Sequence, residues 1–180
     1  MQHGILVNQY FLDLYSHLQF NTTLQYNWIL PNWIYDNKDF ILKNLLPIGM
    51  LSNYQIYHDI GKPFCKTYDI DTKNSHFYNH EKISSEIYPG NDEIKNLIAS
   101  DMIIHKIKEK DMDIFSTKEE SISLLLTGLS EIHANAEMFG GINSTSFKIK
   151  YKQINTRGKS LLRRLITQVD LKSYKRGMTK

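Results

Sequence analysis

Residues 121–141 read Ser121-Ile-Ser-Leu-Leu-Leu-Thr-Gly-Leu-Ser-Glu131-Ile-His-Ala-Asn-Ala-Glu-Met-Phe-Gly-Gly141. Ile122, Leu125, Leu126, Leu129 and Ile132 recur at intervals of three and four, the period of an α-helix with one buried face. Gly140-Gly141 is an ordinary stop signal for such a helix. Upstream, Ser116 with Glu119 has the spacing of a capping box. The same period recurs in both directions. Tyr10, Phe11, Leu14, His17 and Leu18 share a helical face. Phe40–Leu46 forms a short helix before Pro47, and Met50–Ile60 forms another before Gly61 and Pro63. His80, Ile83 and Ile87 follow at helical spacing, and Asp92 can cap a helix facing inward through Ile94, Leu97, Ile98, Asp101 and His105. The apolar segment Leu24–Trp33 is broken by Pro31, and Trp28 and Trp33 read as core, with a base-stacking wall as the alternative. Residues 64–75 read as a polar loop. Strand-like alternation occurs only where Phe147, Ile149 and Tyr151 interleave with Lys148, Lys150 and Lys152, predicting a short strand or extended arm before a basic helix from about Lys159 to Lys172. The fold class is all-α.

Length and composition bound the possibilities. The chain has 180 residues, 41% hydrophobic and 23% charged, enough for one core and inconsistent with a wholly disordered or fibrous chain. No apolar run approaches the ~18 residues of a membrane-spanning helix. The first residues carry no basic stretch and no cleavage site, so a secretory signal is not expected. The single Cys65 excludes an intrachain disulfide framework and a thiolate zinc cage. These features predict a cytoplasmic, reduced protein.

Charge is unevenly distributed. Residues 147–180 hold eleven Lys/Arg and one acid, Asp170, while residues 1–146 carry a net charge of −7. A basic extension on an acidic body favours a polyanionic partner, with a solvated basic helix as the plain alternative.

The chemistry concentrates in Tyr57-His58-Asp59-Ile60-Gly61-Lys62-Pro63. An adjacent imidazole and carboxylate can bind one divalent cation. Gly61 allows a sharp turn, and Lys62 can reach a phosphate. Downstream, Ser75-His76-Phe77-Tyr78-Asn79-His80-Glu81 places His80 on an inward face, and Asp101 with His105 lies at i, i+4 on another. Buried acids and histidines are costly unless paired, and a metal ion relieves that cost. His3 reads as a disordered terminal residue, and His76 is left unassigned as metal ligand, substrate contact or surface.

The motif His58-Asp59-Ile60-Gly61-Lys62-Pro63 resembles that of HD-domain phosphohydrolases of the HDIG type. His76-Phe77-Tyr78-Asn79-His80-Glu81 is similar to the segment that follows it in the HD modules of tRNA nucleotidyltransferases. The resemblance covers about residues 10 to 140. It implies an HD-type helical bundle, which we take to span residues 1–146; residues 147–180, which the resemblance does not explain, are expected to be a basic extension packed on the same domain. It also implies one or two divalent ions (Mn, Fe, Co, Ni, Mg or Zn) and hydrolysis of a phosphoester by metal-activated water. The implied ligands are His17, His58, Asp59, His80 and His105, with Glu131, His133 or Asp101 as the last. The family's Asp aligns with Glu131, whose position predicts a side chain pointing away from the apolar stripe. Asp59 and Lys62 are the candidate catalytic residues, and Lys62, Lys148 and Lys150 the candidate phosphate contacts. The expected substrate is a nucleotide or RNA-end phosphoester, with nucleic acid a further candidate partner through the basic extension and no membrane partner. The competing reading is a degenerate HD module that binds nucleotide or nucleic acid without turnover. Oligomeric state is not legible.

Overall fold

A computed structural model describes residues 2–71 and 73–177, with side chains described through Val169. The chain is mostly helical. Helix α1 (Gln2–Phe20) buries Val7, Tyr10, Phe11, Leu14 and Leu18 along one stripe. Residues 21–31 then run back without helix as a strap, held by the Asp13 carboxylate, which accepts from the Gln25 and Tyr26 amides and from Trp28 Nε1. Short helices α2 (Asn32–Asp36) and α3 (Lys38–Lys43) follow, then α4 (Ile48–Tyr57), which Pro47 precedes. A 3₁₀ turn over Lys62–Phe64 leads into an antiparallel hairpin, β1 (Lys66–Asp69) and β2 (Asn74–Phe77), registered Lys66 opposite Phe77 and Asp69 opposite Asn74. The sequence had predicted a polar loop there. Its four-residue strands, exposed over most of their length, carry too little alternation to be read as such.

Helices α5 (His80–Ile87), α6 (Asp92–Ser100), α7 (Ile103–Lys106) and α8 (Met112–Phe115) pack as short pieces. Asn91 rather than Asp92 caps α6, its side chain accepting from the Ile94 amide at 3.0 Å. The helix predicted through His105 breaks at Asp101–Met102, so Asp101 and His105 come from separate segments. The capping box expected at Ser116 is absent: Ser116 Oγ donates to Asp113 O, and α9 (Ser121–Met138) begins later.

Helix α9 is the central element. Leu124, Leu125, Leu126 and Leu129 are fully buried, each worth about 1.5–3 kcal/mol of apolar transfer. Helix α1 packs on α9 and α4, and α10 (Thr145–Gly177) packs on the other flank of α9 and reaches α2, α7 and α8. Residues 147–152 are therefore helix, not the predicted strand or arm. Phe147, Ile154, Leu161 and Leu162 form a buried helical stripe, and tertiary burial overrides the local period of two. Gly158 completes this contact: a Cβ there would meet the Trp33 ring at 2.5 Å. Part of the basic extension is neutralised by the body. Arg164 Nε lies 2.5 Å from Asp113 and its NH2 group 3.0 Å from Glu109, and Arg157 Nε donates to Ile107 O. The predicted basic side chains from Lys172 onward lie outside the described residues. Among the described residues, no helix is long and apolar enough to cross a membrane.

Candidate metal centre

The end of α4 sets the site. Two successive turns follow the helix, with the Ile60 amide donating to Tyr57 O and the Lys62 amide to Asp59 O, both at 3.1 Å. This turns His58 inward, almost fully buried, and leaves Asp59 next to it. Gly61 has ordinary helical dihedrals, so a sharp turn is not why glycine stands there. The reason is proximity: a Cβ would meet the Ser84 amide nitrogen at 2.5 Å and His80 O at 2.8 Å. The Gly61 amide instead donates to Ser84 Oγ at 2.8 Å, so α5 docks against the motif and delivers His80.

Around Asp59 the side chains converge. Its Oδ2 lies 3.4 Å from His58 Nε2 and 3.6 Å from His3 Nε2, and it pairs with the Lys62 ammonium. Its Oδ1 lies 3.4 Å from His80 Nε2. Glu131 reaches in from α9, with Oε1 3.9 Å from His3 Nε2 and Oε2 2.8 Å from His105 Nε2. Asp101 is fully buried, and one of its oxygens accepts from the Tyr54 hydroxyl.

Two of the histidines, His58 and His80, are oriented by backbone carbonyls. A carbonyl can only accept, so His58 Nδ1 donates to Gln55 O at 2.7 Å and His80 Nδ1 donates to Phe77 O at 2.9 Å. Each Nε2 lone pair then faces the cluster, the arrangement of metal-ligating imidazoles. His58 Nε2, His3 Nε2, Asp59 Oδ1 and Asp101 Oδ2 are buried without a hydrogen-bond partner, while His105 Nε2 and Glu131 Oε2 face each other as an ion pair at their edge. Orphans of this kind are rare and costly, and here they point at one another. Two sets could hold a cation, His3–His58–Asp59 and His58–Asp101–Glu131, each with ligand atoms within 4.8 Å of one another. Mixed imidazole and carboxylate donors suit a divalent ion, so the donor set fits the expected metal.

The protonation energetics show the same strain. Burial pulls the His58 pKa down, but Asp101, Asp59 and Glu131 outweigh it and raise it. Burial likewise opposes the charge on Glu131, yet His105, His3 and His58 hold its carboxyl well below the usual range. Burial raises the pKa of Asp101 above its ordinary value despite His58 nearby. A cation would replace this proton sharing.

Of the expected ligands, His58, Asp59, His80, Asp101, His105 and Glu131 come together. His17 does not. It sits on α1 far from the motif, with Nδ1 donating to Thr22 O at 2.6 Å and Nε2 3.4 Å from the Tyr35 hydroxyl. Its place is taken by His3, at the start of the same helix. His3 was legible as the first member of the stripe His3, Val7, Tyr10 and Leu14, at i, i+4, i+7 and i+11. Gly4 lets α1 close on the site, since a Cβ there would meet Ile56 O at 2.3 Å and Gln55 O at 2.7 Å.

Glu131 points into the cluster rather than away from the core, because α1 and α7 cover that face of α9 as well. His133 is fully buried elsewhere: Nδ1 donates to Leu129 O at 2.8 Å, and Nε2 accepts from the Ile29 amide at 3.1 Å. Trp28, Phe147 and Tyr151 surround its ring, and burial pulls its pKa down to about 4. His133 is structural. His76 stacks on Tyr78. Lys150 lines a cavity beside α9, whereas Lys148 is exposed and outside it.

Comparison of the chain with family models, with curated proteins and with solved structures finds no match.

Proposed function

We propose that this protein is a divalent-metal-dependent phosphohydrolase of the HD type, acting on a nucleotide or RNA-end phosphoester. The observation that carries the reading is the convergence on the His58-Asp59 pair of buried ligand atoms from α1, α5, α7 and α9 and from the turns after α4 and α6, several of them without a hydrogen-bond partner. His3, His58 and Asp59 are suited to one ion, and Asp101 and Glu131 extend the donor set on the other side of His58. Asp59, with one oxygen toward His3 and His58 and the other toward His80, is oriented to serve both sides. When bound, a divalent ion supplies a water of lowered pKa and polarises the phosphoryl oxygens.

The chain's own residues do the rest. Gln55 and Phe77 carbonyls fix the imidazole lone pairs. Lys62, a third exposed and paired with Asp59, is free to swing its ammonium toward a phosphoryl oxygen once a cation neutralises that carboxylate. Tyr54 holds Asp101 in place through its hydroxyl.

The test is elemental analysis of the purified protein together with phosphate release from a panel of nucleotides under Mn²⁺, Co²⁺ or Mg²⁺. Chelation abolishes release and metal restores it. Asp59→Ala removes both metal and activity while helix content is kept. Equal activity in the chelated and loaded protein overturns the reading.

A further inference from the structure

A second feature adjoins the cluster. Helix α9 ends in a tight reversal: the Gly141 amide reaches back to Ala136 O at 2.7 Å, and Gly140 takes a φ of +90°, which glycine alone adopts cheaply. The reversal throws Phe139 outward and starts α10 alongside. Between this corner and the β1–β2 hairpin lies a cavity of about 570 Å³, within the usual range for small-ligand sites. Asn74 and Ser75 of β2 form one wall. Asn135, Phe139, Ser144 and Lys150 form the other.

One wall residue of the cavity also touches the cluster. Asn135, one helical turn beyond Glu131, donates to Glu131 Oε1 at 3.4 Å. A molecule held against Asn135 therefore lies beside a carboxylate of the cluster. The lining selects its chemistry. Lys150 is the one charged residue in it and has no ion-pair partner among the described residues. The other polar groups are neutral amides and hydroxyls, which both donate and accept. Phe139 is 68% exposed at the rim, leaving much of its flat apolar ring open to solvent. A polyphosphate calls for more cations than this. A simple sugar phosphate leaves the Phe139 face unused.

We propose that this cavity binds the nucleoside of a nucleoside-phosphate substrate, with the base stacked on Phe139, Asn74 and Asn135 hydrogen-bonding base or ribose, and Lys150 paired with a phosphate. The inference rests on the cluster being the reaction centre of a phosphohydrolase. The ligand is a free nucleotide or the terminal nucleotide of an RNA strand.

Calorimetric titration of the full chain after chelation, with 5′-AMP, ribose 5-phosphate and an RNA trinucleotide, tests it. The expected result is about tenfold tighter binding of AMP than of ribose 5-phosphate, the scale of one base–aromatic stack. Phe139→Ala erases that preference. Lys150→Gln weakens both ligands, and Lys148→Gln, on the same helix but outside the cavity, changes neither. Trinucleotide binding well above that of AMP, equally dependent on Phe139, identifies a strand end as the source. Equal binding identifies the free nucleotide. Equal affinity for AMP and ribose 5-phosphate, or a preference that survives Phe139→Ala, overturns the proposal. Parallel phosphate-release assays with Mn²⁺ separate the two readings. A Phe139-dependent AMP preference without release from any probe removes the hydrolase and keeps the cavity. Release indifferent to base and to Phe139→Ala keeps the hydrolase and removes the cavity.

Discussion

His3 Nε2 lies 3.6 Å from Asp59 Oδ2, so the first turn of α1 and the end of α4 meet at one point. The contact makes the N-terminal segment part of the site, and it assigns to His3 the place that helical spacing suggested for His17.

Replacement of the two histidines separates these assignments. His3→Ala is expected to weaken metal binding about tenfold or more, as loss of support at a metal site commonly does. His17→Ala leaves metal content unchanged, since its ring is engaged by Thr22 and Tyr35. Competition titration with a chromophoric chelator reads both. Equal losses in the two variants contradict the assignment.

Gly4→Ala couples packing to the site. The new methyl meets two backbone carbonyls that cannot rotate away, so α1 shifts off α4. Overpacking of this kind costs about 1–3 kcal/mol. Urea denaturation of the chelated protein measures that cost, and metal affinity falls in step because His3 moves with α1. A variant with altered stability but intact metal affinity shows that His3 is not a ligand.

Lys62→Ala addresses charge stabilisation. Loss of one preorganised donor costs on the order of 10²–10³ in turnover. Metal content stays near that of the unaltered protein, because Lys62 contributes no ligand. Unchanged turnover places the ammonium outside the reaction.

His133 predicts a pH dependence of stability away from the cluster. Burial lowers its folded pKa to about 4 against about 6.5 in the unfolded chain. Between those values the unfolded state binds the extra proton, so stability is full above about pH 6.5 and is lost as pH falls toward 4. The span corresponds to about 3 kcal/mol. Comparing chelated wild type with His133→Gln by denaturant titration at pH 7 and pH 5 isolates it: the variant lacks this part of the slope. Identical slopes refute the buried, neutral imidazole.

Much was legible from local pattern. The helical class, the α9 stripe and its Gly140–Gly141 stop follow from periodicity and backbone preference, which act within a few residues. The His58-Asp59 pair was legible from its short motif with Gly61 and Lys62, and His80 and His105 from their place on apolar helical faces. Other features were decided only in three dimensions. Residues 147–152 alternate like a strand but form helix, because Phe147 and Ile154 gain burial against α9 only at a helical period. Gly61 and Gly4 stand where another segment's backbone passes within van der Waals contact, a condition that no local dihedral reveals. Glu131 faces the cluster because α1 and α7 close over a side of α9 that its own apolar stripe leaves unmarked. His3 and His17 share a helix and a residue type. Which of them meets Asp59 depends on where along α1 the end of α4 crosses, and distance along a rigid helix is set by its packing partners rather than by its own sequence.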